Sequence, residues 1–158
     1  MISGNLISRS KVPSLISGLK RKHQAIVFTN GVFDILHRGH VEYLAKAKEF
    51  GDILIVGLNS DASVRRLKGT PRPLQRQQDR AAVLLALKAV DYVVVFGEDT
   101  PEKLIKSIEP DVLVKGADYK LSEIVGAQFV KSYGGKIQRI RLTKGRSTSD
   151  ILKRIREN

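Results

Sequence analysis

Phe28-Thr29-Asn30-Gly31-Val32-Phe33-Asp34-Ile35-Leu36-His37-Arg38-Gly39-His40 decides how this chain is read. It follows the short apolar run Ala25-Ile26-Val27-Phe28, which reads as a buried strand. It leads into Val41-Glu42-Tyr43-Leu44-Ala45-Lys46-Ala47-Lys48, whose apolar positions recur at helical spacing. The stretch is therefore a strand-to-helix turn. His37 and His40, with Gly39 between them, put two imidazoles on one side of a first helical turn, where unpaired N–H groups and the helix dipole favour anions. Asn30-Gly31 adds a turn without a bulky side chain, so that backbone amides can approach a ligand. This pattern is that of a phosphate-handling site. Two histidines at i, i+3 are also half of a metal site, but the chain has no cysteine, one further histidine (His23) and no HExxH spacing.

Outward from this turn, strand and helix periods alternate. Strands are expected at 25–29, 53–58, 92–96, 112–115 and 137–142, and helices at 40–50, 62–67, 77–89, 101–108 and 122–133. Val12, Leu15, Ile16 and Leu19 mark a short amphipathic helix ahead of the core, with Pro13 in its first turn, so residues 1–24 read as an N-terminal helical extension. Thr100-Pro101 reads as an N-cap followed by a first-turn proline, Gly134-Gly135 as a helix stop, and Ser147-Thr148-Ser149-Asp150 as a capping box opening a last helix at 151–156. Near-continuous apolar strands alternating with helices predict an α/β fold, a doubly wound parallel sheet covered on both faces. Such sheets bind ligands beyond the carboxyl ends of their strands, where strand order reverses. Neither GxGxxG nor GxxxxGKS/T occurs, so the dinucleotide fingerprint and the Walker A loop are both absent.

The 158 residues suffice for one core, and 1–158 reads as a single domain. Zero cysteine excludes a disulfide scaffold and suits a reducing cytoplasm. No apolar stretch approaches the ~20 residues of a membrane span, and Arg9 and Lys11 are followed by no long apolar core of a signal peptide. The expectation is a cytoplasmic protein without a membrane partner. The 28 Lys and Arg against 16 Asp and Glu leave a net charge of +12, which raises the question of nucleic acid. The basic residues are dispersed, however, the densest run being Lys20-Arg21-Lys22, and few aromatics are interleaved. A general positive potential equally draws in phosphorylated small molecules. No specific nucleic-acid partner is expected, and a basic nucleic-acid-binding module stands as the alternative of another class.

The central turn resembles the HxGH signature of the cytidylyltransferase-like nucleotidyltransferases. Asn59-Ser60-Asp61, Arg66-Leu67-Lys68-Gly69, Asp99-Thr100-Pro101, Lys115-Gly116-Ala117-Asp118-Tyr119 and Gly145-Arg146-Ser147-Thr148-Ser149 follow in the order and spacing of the D-glycero-β-D-manno-heptose 1-phosphate adenylyltransferases. The resemblance runs from about Ile26 to Ile155. It implies a Rossmann-like five-stranded sheet of order 3-2-1-4-5, with the His37–His40 turn facing Lys115–Tyr119 across the switch point. It also implies transfer of AMP from ATP to the heptose 1-phosphate, giving pyrophosphate and ADP-heptose for lipopolysaccharide core synthesis, with Mg²⁺ bound mostly to phosphate oxygens. In such a transfer the protein positions an in-line pair and neutralises charge on the equatorial oxygens.

By resemblance His37 and His40 are the catalytic pair, and Lys68 is a third catalytic residue that reaches the phosphates. Thr29, Asn30, Gly31, Val32, Phe33, Gly39, Arg80, Lys115, Gly116, Asp118, Tyr119, Ser147, Thr148 and Ser149 are expected to bind the nucleotide. Read as residues alone, Lys68 is equally a solvated lysine beside a glycine turn, and Arg80 a helix-surface arginine. Tyr119 either stacks on a ligand or fills the crevice wall. Ser147, Thr148 and Ser149 cap the last helix, bind nucleotide, or do both. Asp34 orients a histidine, contacts metal or stabilises the turn, which makes it the candidate metal ligand.

One departure bears on substrate. In glycerol-3-phosphate cytidylyltransferases an arginine-threonine pair precedes the last motif, and that arginine takes part in phosphate binding. Here the position is Leu142, which argues against the glycerol branch and leaves Lys144 or Arg146 to take the contact. Many heptose relatives carry a fused sugar kinase domain absent from this sequence, so a separate kinase is expected to supply the substrate, and a homo-oligomer is expected. Within the same fold, the alternatives are a cytidylyltransferase acting on a polyol phosphate and an FAD synthetase-like enzyme.

Overall fold

A computed structural model describes residues 5–141 and 148–157. Among these residues six strands form one sheet: β1 (Leu6–Ile7), β2 (Ile26–Gly31), β3 (Ile53–Asn59), β4 (Tyr92–Phe96), β5 (Val112–Gly116) and β6 (Lys136–Ile140). Their order is β1-β4-β3-β2-β5-β6, and every neighbouring pair is parallel. Without β1 this is the expected 3-2-1-4-5. The correction is a sixth strand, not a fifth-strand edge: Leu6 and Ile7 pair with Val93 and Val94 along the otherwise open side of β4, covering a row of unpaired backbone groups. Two residues carry no readable period, so the strand was invisible in the sequence. Residues 1–24 are accordingly not a purely helical extension, since β1 precedes α1 (Val12–Arg21).

Burial explains why the strands are apolar without alternation. Ile26, Val27, Phe28 and Thr29 are all fully buried, as a strand covered on both faces must be. One face of the sheet packs Phe28, Ile55 and Leu113 against α1, α5 (Glu102–Ile108) and α6 (Ala127–Ser132). The other packs Val27, Leu54, Val56 and Val114 against Tyr43, Leu44 and Ala47 of α2 (Arg38–Lys48) and Ala81 and Leu84 of α4 (Gln77–Leu85). Gly57 makes room for this arrangement, because a Cβ there would lie 2.8 Å from the Phe28 ring. The remaining helices are α3 (Asp61–Lys68) and α7 (Thr148–Glu157). No helix among the described residues is long and apolar enough to cross a membrane.

Several helix boundaries differ from expectation for local reasons. Gly126 has φ 82°, a left-handed conformation that no helix continues through. The span 122–133 therefore divides into a 3₁₀ turn at Leu121–Glu123 and α6. Beyond Leu85, α4 gives way to tight bonds from Leu87 N–H to Leu84 O and from Val90 N–H to Leu87 O, each 3.0 Å, which turn the chain into β4. Pro101, rather than Thr100, is the N-cap of α5. Ser147 of the expected capping box lies outside the described residues, and α7 begins at Thr148.

Candidate active site

The strand order reverses at β2, which sits between β3 and β5, so the turn after β2 and the end of β5 meet above the same edge of the sheet. His37 is the N-cap of α2, in extended conformation at φ −141° and ψ 172°. Its Nδ1 accepts the Gly39 N–H at 3.1 Å, a bond that leaves the proton of the neutral ring on Nε2. The first turn of α2 contains no acidic residue, so nothing from the helix itself offsets the positive end of its dipole. His40 lies between two rings. Its centroid is 3.9 Å from that of His37, at 30°, and 5.4 Å from that of Phe33, edge-on at 63°. Phe33 holds that place at φ 46°, a region costly for a bulky side chain. Burial, and secondarily His37, push the pKa of His40 down to about 4. The ring is therefore neutral at neutral pH, and its Nδ1 is buried without a hydrogen-bond partner.

Below the histidines, the Thr29 hydroxyl donates to Val114 O at 3.0 Å and lies 2.8 Å from the Tyr43 hydroxyl. This bond set ties β2 to β5 and to α2. Burial is the main reason the Tyr43 pKa rises to about 12, which keeps its hydroxyl protonated. The Thr29 side chain is thus part of the floor, not a cleft wall. Asn30, the next residue, lines the cleft with a buried Oδ1 that has no partner.

The cleft has two adjoining lobes, of about 430 and 360 Å³. Asn30, Gly31, Val32, Phe33, His40, Lys68, Lys115 and Tyr119 border both. The larger lobe adds Asp34, Asn59, Leu67, Arg72, Asp99, Pro101 and Thr148, and the smaller adds Tyr43, Gly116 and Asp118. Lys115 is half-buried, with Nζ 5.5 Å from the centroid of the Tyr119 ring. Burial lowers its pKa to about 8, with Asp118 acting in the opposite sense. The Thr148 hydroxyl donates to Ile35 O at 3.3 Å, fastening the start of α7 to the histidine turn. Ser149 is exposed and stands off the cleft. Ser147, Leu142, Lys144 and Arg146 lie outside the described residues.

Two expected site residues are engaged by the protein itself, Arg80 beneath the cleft and Asp34 at the wall of its larger lobe. Arg80 is fully buried: Nε donates to Gln75 O (3.0 Å), Nη1 to Val32 O (2.6 Å) and Nη2 to Asp61 Oδ1 (2.7 Å). It is neither a helix-surface arginine nor a cleft-lining one, because protein acceptors engage all three of its nitrogens. Asp34 is also buried. Its Oδ1 accepts from Leu74 N–H and Gln75 N–H, its Oδ2 accepts from Leu74 N–H, all at 2.9 Å, and Arg72 Nε lies 2.9 Å from Oδ2. Both oxygens are committed to N–H donors, which does not fit a resident metal. Among the described residues no group of three His, Asp or Glu is placed to hold one. Gly39 is buried and supplies its amide to His37.

Of the other lining residues, Asn59, Leu67, Asp99 and Pro101 lie in motifs that carried the resemblance but were given no site role, and Arg72 lies in none of them. Asn59 ends β3, so the rule that ligands gather beyond carboxyl strand ends would have found it. Arg72 lies between Pro71 and Pro73 in a loop with no regular period, and contacts distant in sequence, Asp34 and Arg80 among them, bring that loop to the cleft.

Residues 28–154 match the family model described as Cytidylyltransferase-like. Over 150 residues the chain is 57% identical to the bifunctional protein HldE of Wolinella succinogenes, covering 95% of this chain and 31% of that protein. It is 53% identical over 147 residues to the bifunctional protein HldE of Syntrophotalea carbinolica, covering 93% and 30%. The chain thus spans about three tenths of the length of these curated relatives. Among solved structures it is similar to the lipopolysaccharide core biosynthesis protein from Thermoplasma volcanium, with a TM-score of 0.64 and 32% identity over 77% of this chain and 99% of that one. It also shares its fold with pantoate-beta-alanine ligase from Francisella tularensis, with a TM-score of 0.59 and 20% identity over 97% and 78%.

Proposed function

This chain belongs to the cytidylyltransferase-like family, and on that premise we propose that it transfers AMP from ATP to D-glycero-β-D-manno-heptose 1-phosphate, releasing pyrophosphate and ADP-heptose. The observation that carries the reading is His40 at the start of α2, stacked on the N-cap His37 at the sheet's switch point and bordering both lobes together with Lys68 and Lys115, while His37 itself lines neither lobe. In this reading a sugar-phosphate oxygen forms a bond to the α-phosphorus of ATP while the bond to the β-phosphate oxygen breaks and pyrophosphate leaves. The attacking oxygen is already ionised, so no general base and no covalent enzyme intermediate are needed. The chain positions the two reactants and stabilises charge on the equatorial oxygens. The His37 and His40 rings donate to those oxygens, and the Lys68 and Lys115 ammonium groups, which border both lobes, add positive charge. Gly116 and Asp118 give the smaller lobe backbone groups and a carboxylate beside the Tyr119 ring that both lobes share, which suit an adenosine. Magnesium fits this scheme as an ion carried by the triphosphate oxygens, its preferred hard ligands, and not as one caged by the protein.

The heptose assignment draws support from the five later motifs, from the bifunctional HldE relatives and from the lipopolysaccharide core protein of Thermoplasma volcanium. A sugar kinase reaction must supply the 1-phosphate, and the cytoplasm, where ATP is made and used, is the compartment the reading requires. Pyrophosphate release, measured over a matrix of ATP and CTP against heptose 1-phosphate, glycerol 3-phosphate and a flavin mononucleotide, tests it. ATP with heptose 1-phosphate should exceed every other pair in kcat/KM by at least ~10²-fold, because a site built to pair buried polar groups rejects ligands that leave them unpaired.

A further inference from the structure

The segment 72–75 is fastened to the turn 32–34 twice, by groups running in opposite directions. From the turn, the Asp34 carboxylate takes the N–H groups of Leu74 and Gln75 and faces Arg72 Nε. From α4, Arg80 donates to Gln75 O and, on the turn side, to Val32 O. Both clamps are buried, with Asp34 2% and Arg80 1% exposed. The loop that carries Arg72 therefore moves with the turn that carries Phe33, and cannot swing separately from it.

Arg72 itself is poised, not spent. Its Nε is buried against Asp34 at 2.9 Å, close enough for an ion pair but not aligned for a hydrogen bond. The side chain keeps 21% of its surface open, and the residue lines the larger lobe and not the smaller one. A guanidinium with one edge held by a carboxylate presents its other edge as a fork matched to phosphate oxygens. Asn59, whose Nδ2 donates to Ser63 Oγ at 2.9 Å, and Asp99 share that lobe and bring an amide carbonyl and a carboxylate to hydroxyl groups. Asp99 is held in turn by Arg66 Nε at 2.8 Å. A phosphate-matched cation beside hydroxyl partners is the chemistry of a phosphorylated polyol or sugar. The smaller lobe, which Arg72 does not line, adds Tyr43, Gly116 and Asp118 instead.

We propose that Arg72 binds the phosphate of the acceptor sugar and sets acceptor specificity, with Asp34 as its positioning residue. The proposal rests on the reading of the cleft as a nucleotidyltransferase site. It separates the two substrates, since Arg72 acts on the acceptor while Lys115 and the histidines act on the nucleotide.

The test is a set of full-length variants assayed with ATP and heptose 1-phosphate varied in turn, with Arg76→Ala as a control for loss of one exposed surface charge four residues away. Arg72→Ala should raise KM for the sugar phosphate ~10- to 100-fold, the usual loss of a charge-assisted phosphate contact, and change KM for ATP less than ~2-fold. Arg72→Lys should recover part of the loss, and Asp34→Asn should reproduce the acceptor effect without removing the cation. Calorimetric titration with a non-hydrolysable ATP analogue and with sugar 1-phosphates reads the same split without turnover. Absence of wild-type turnover with the heptose phosphate would count against the proposed function, while the titrations would still decide the role of Arg72. Loss of ATP-analogue affinity in Arg72→Ala, or an unchanged sugar-phosphate affinity, overturns the proposal.

Discussion

His37 and His40 stack with their ring centroids 3.9 Å apart, and one consequence is that they do different jobs. His37 caps α2 through Nδ1, whereas His40 sits between two rings and is kept neutral by burial. Replacing either by alanine should lower kcat by ~10²–10³, the range for losing one preorganised donor to a charged transition state. Only His37→Ala should also cost about 1 kcal/mol of stability, the typical worth of an N-cap. Steady-state kinetics and denaturant titration on the same two variants separate the effects, and near-wild-type turnover in either would remove that histidine from the chemistry.

Stability should depend on His40 in the acid range, with a definite sign. The folded ring takes up a proton only near pH 4, against 6.5 when free, so between those values the unfolded chain binds more protons and stability falls as pH is lowered. The contribution is complete above about 6.5 and is lost towards 4. Unfolding free energies of the wild type minus those of His40→Gln, followed from pH 7 to 4, should decline on this interval. A flat difference would mean that the ring is not desolvated.

Lys115 predicts a limit on the alkaline side. Its pKa of about 8 means that the cation facing the nucleotide is lost well before an ordinary lysine would lose it. Since kcat/KM reports ionisations of the free enzyme, kcat/KM for ATP should fall about tenfold per pH unit above roughly 8. Lys115→Arg, which stays charged, should abolish that fall. Persistence of full kcat/KM to pH 9.5 in the wild type would contradict the assignment.

Arg80 should behave as a brace. Arg80→Met leaves Gln75 O, Val32 O and Asp61 without their donor, and breaking a buried charged network costs ~3–5 kcal/mol. The midpoint of unfolding should drop accordingly, with KM for both substrates affected together because the 72–75 loop and the 32–34 turn come apart. A rise in KM for ATP alone, at unchanged stability, would restore Arg80 to the nucleotide.

What could be read from the sequence was local, and what could not was set by distant partners. The His37–His40 turn and the five longer strands follow from spacings within a dozen residues and from the alternation of periods, while the strand order came from the family resemblance. The resemblance put Arg80 at the nucleotide, and Asp34 was offered a histidine, a metal or the turn. Where the two are held depends on Val32, Asp61, Leu74 and Gln75, which reach them from 5 to 48 positions away. Arg72 escaped notice for the same reason, since the bonds of Asp34 and Arg80 to its loop are what bring it to the cleft. Thr29 was placed in the right turn, but alternation along β2 put its side chain into the floor.

Product analysis reads the adenylyl transfer itself. Incubated with ATP, Mg²⁺ and D-glycero-β-D-manno-heptose 1-phosphate, the protein should yield equimolar pyrophosphate and ADP-heptose by chromatography, and yield neither when the sugar phosphate is left out. Turnover of CTP with glycerol 3-phosphate at an equal or greater rate, or no pyrophosphate from any pair, would contradict it.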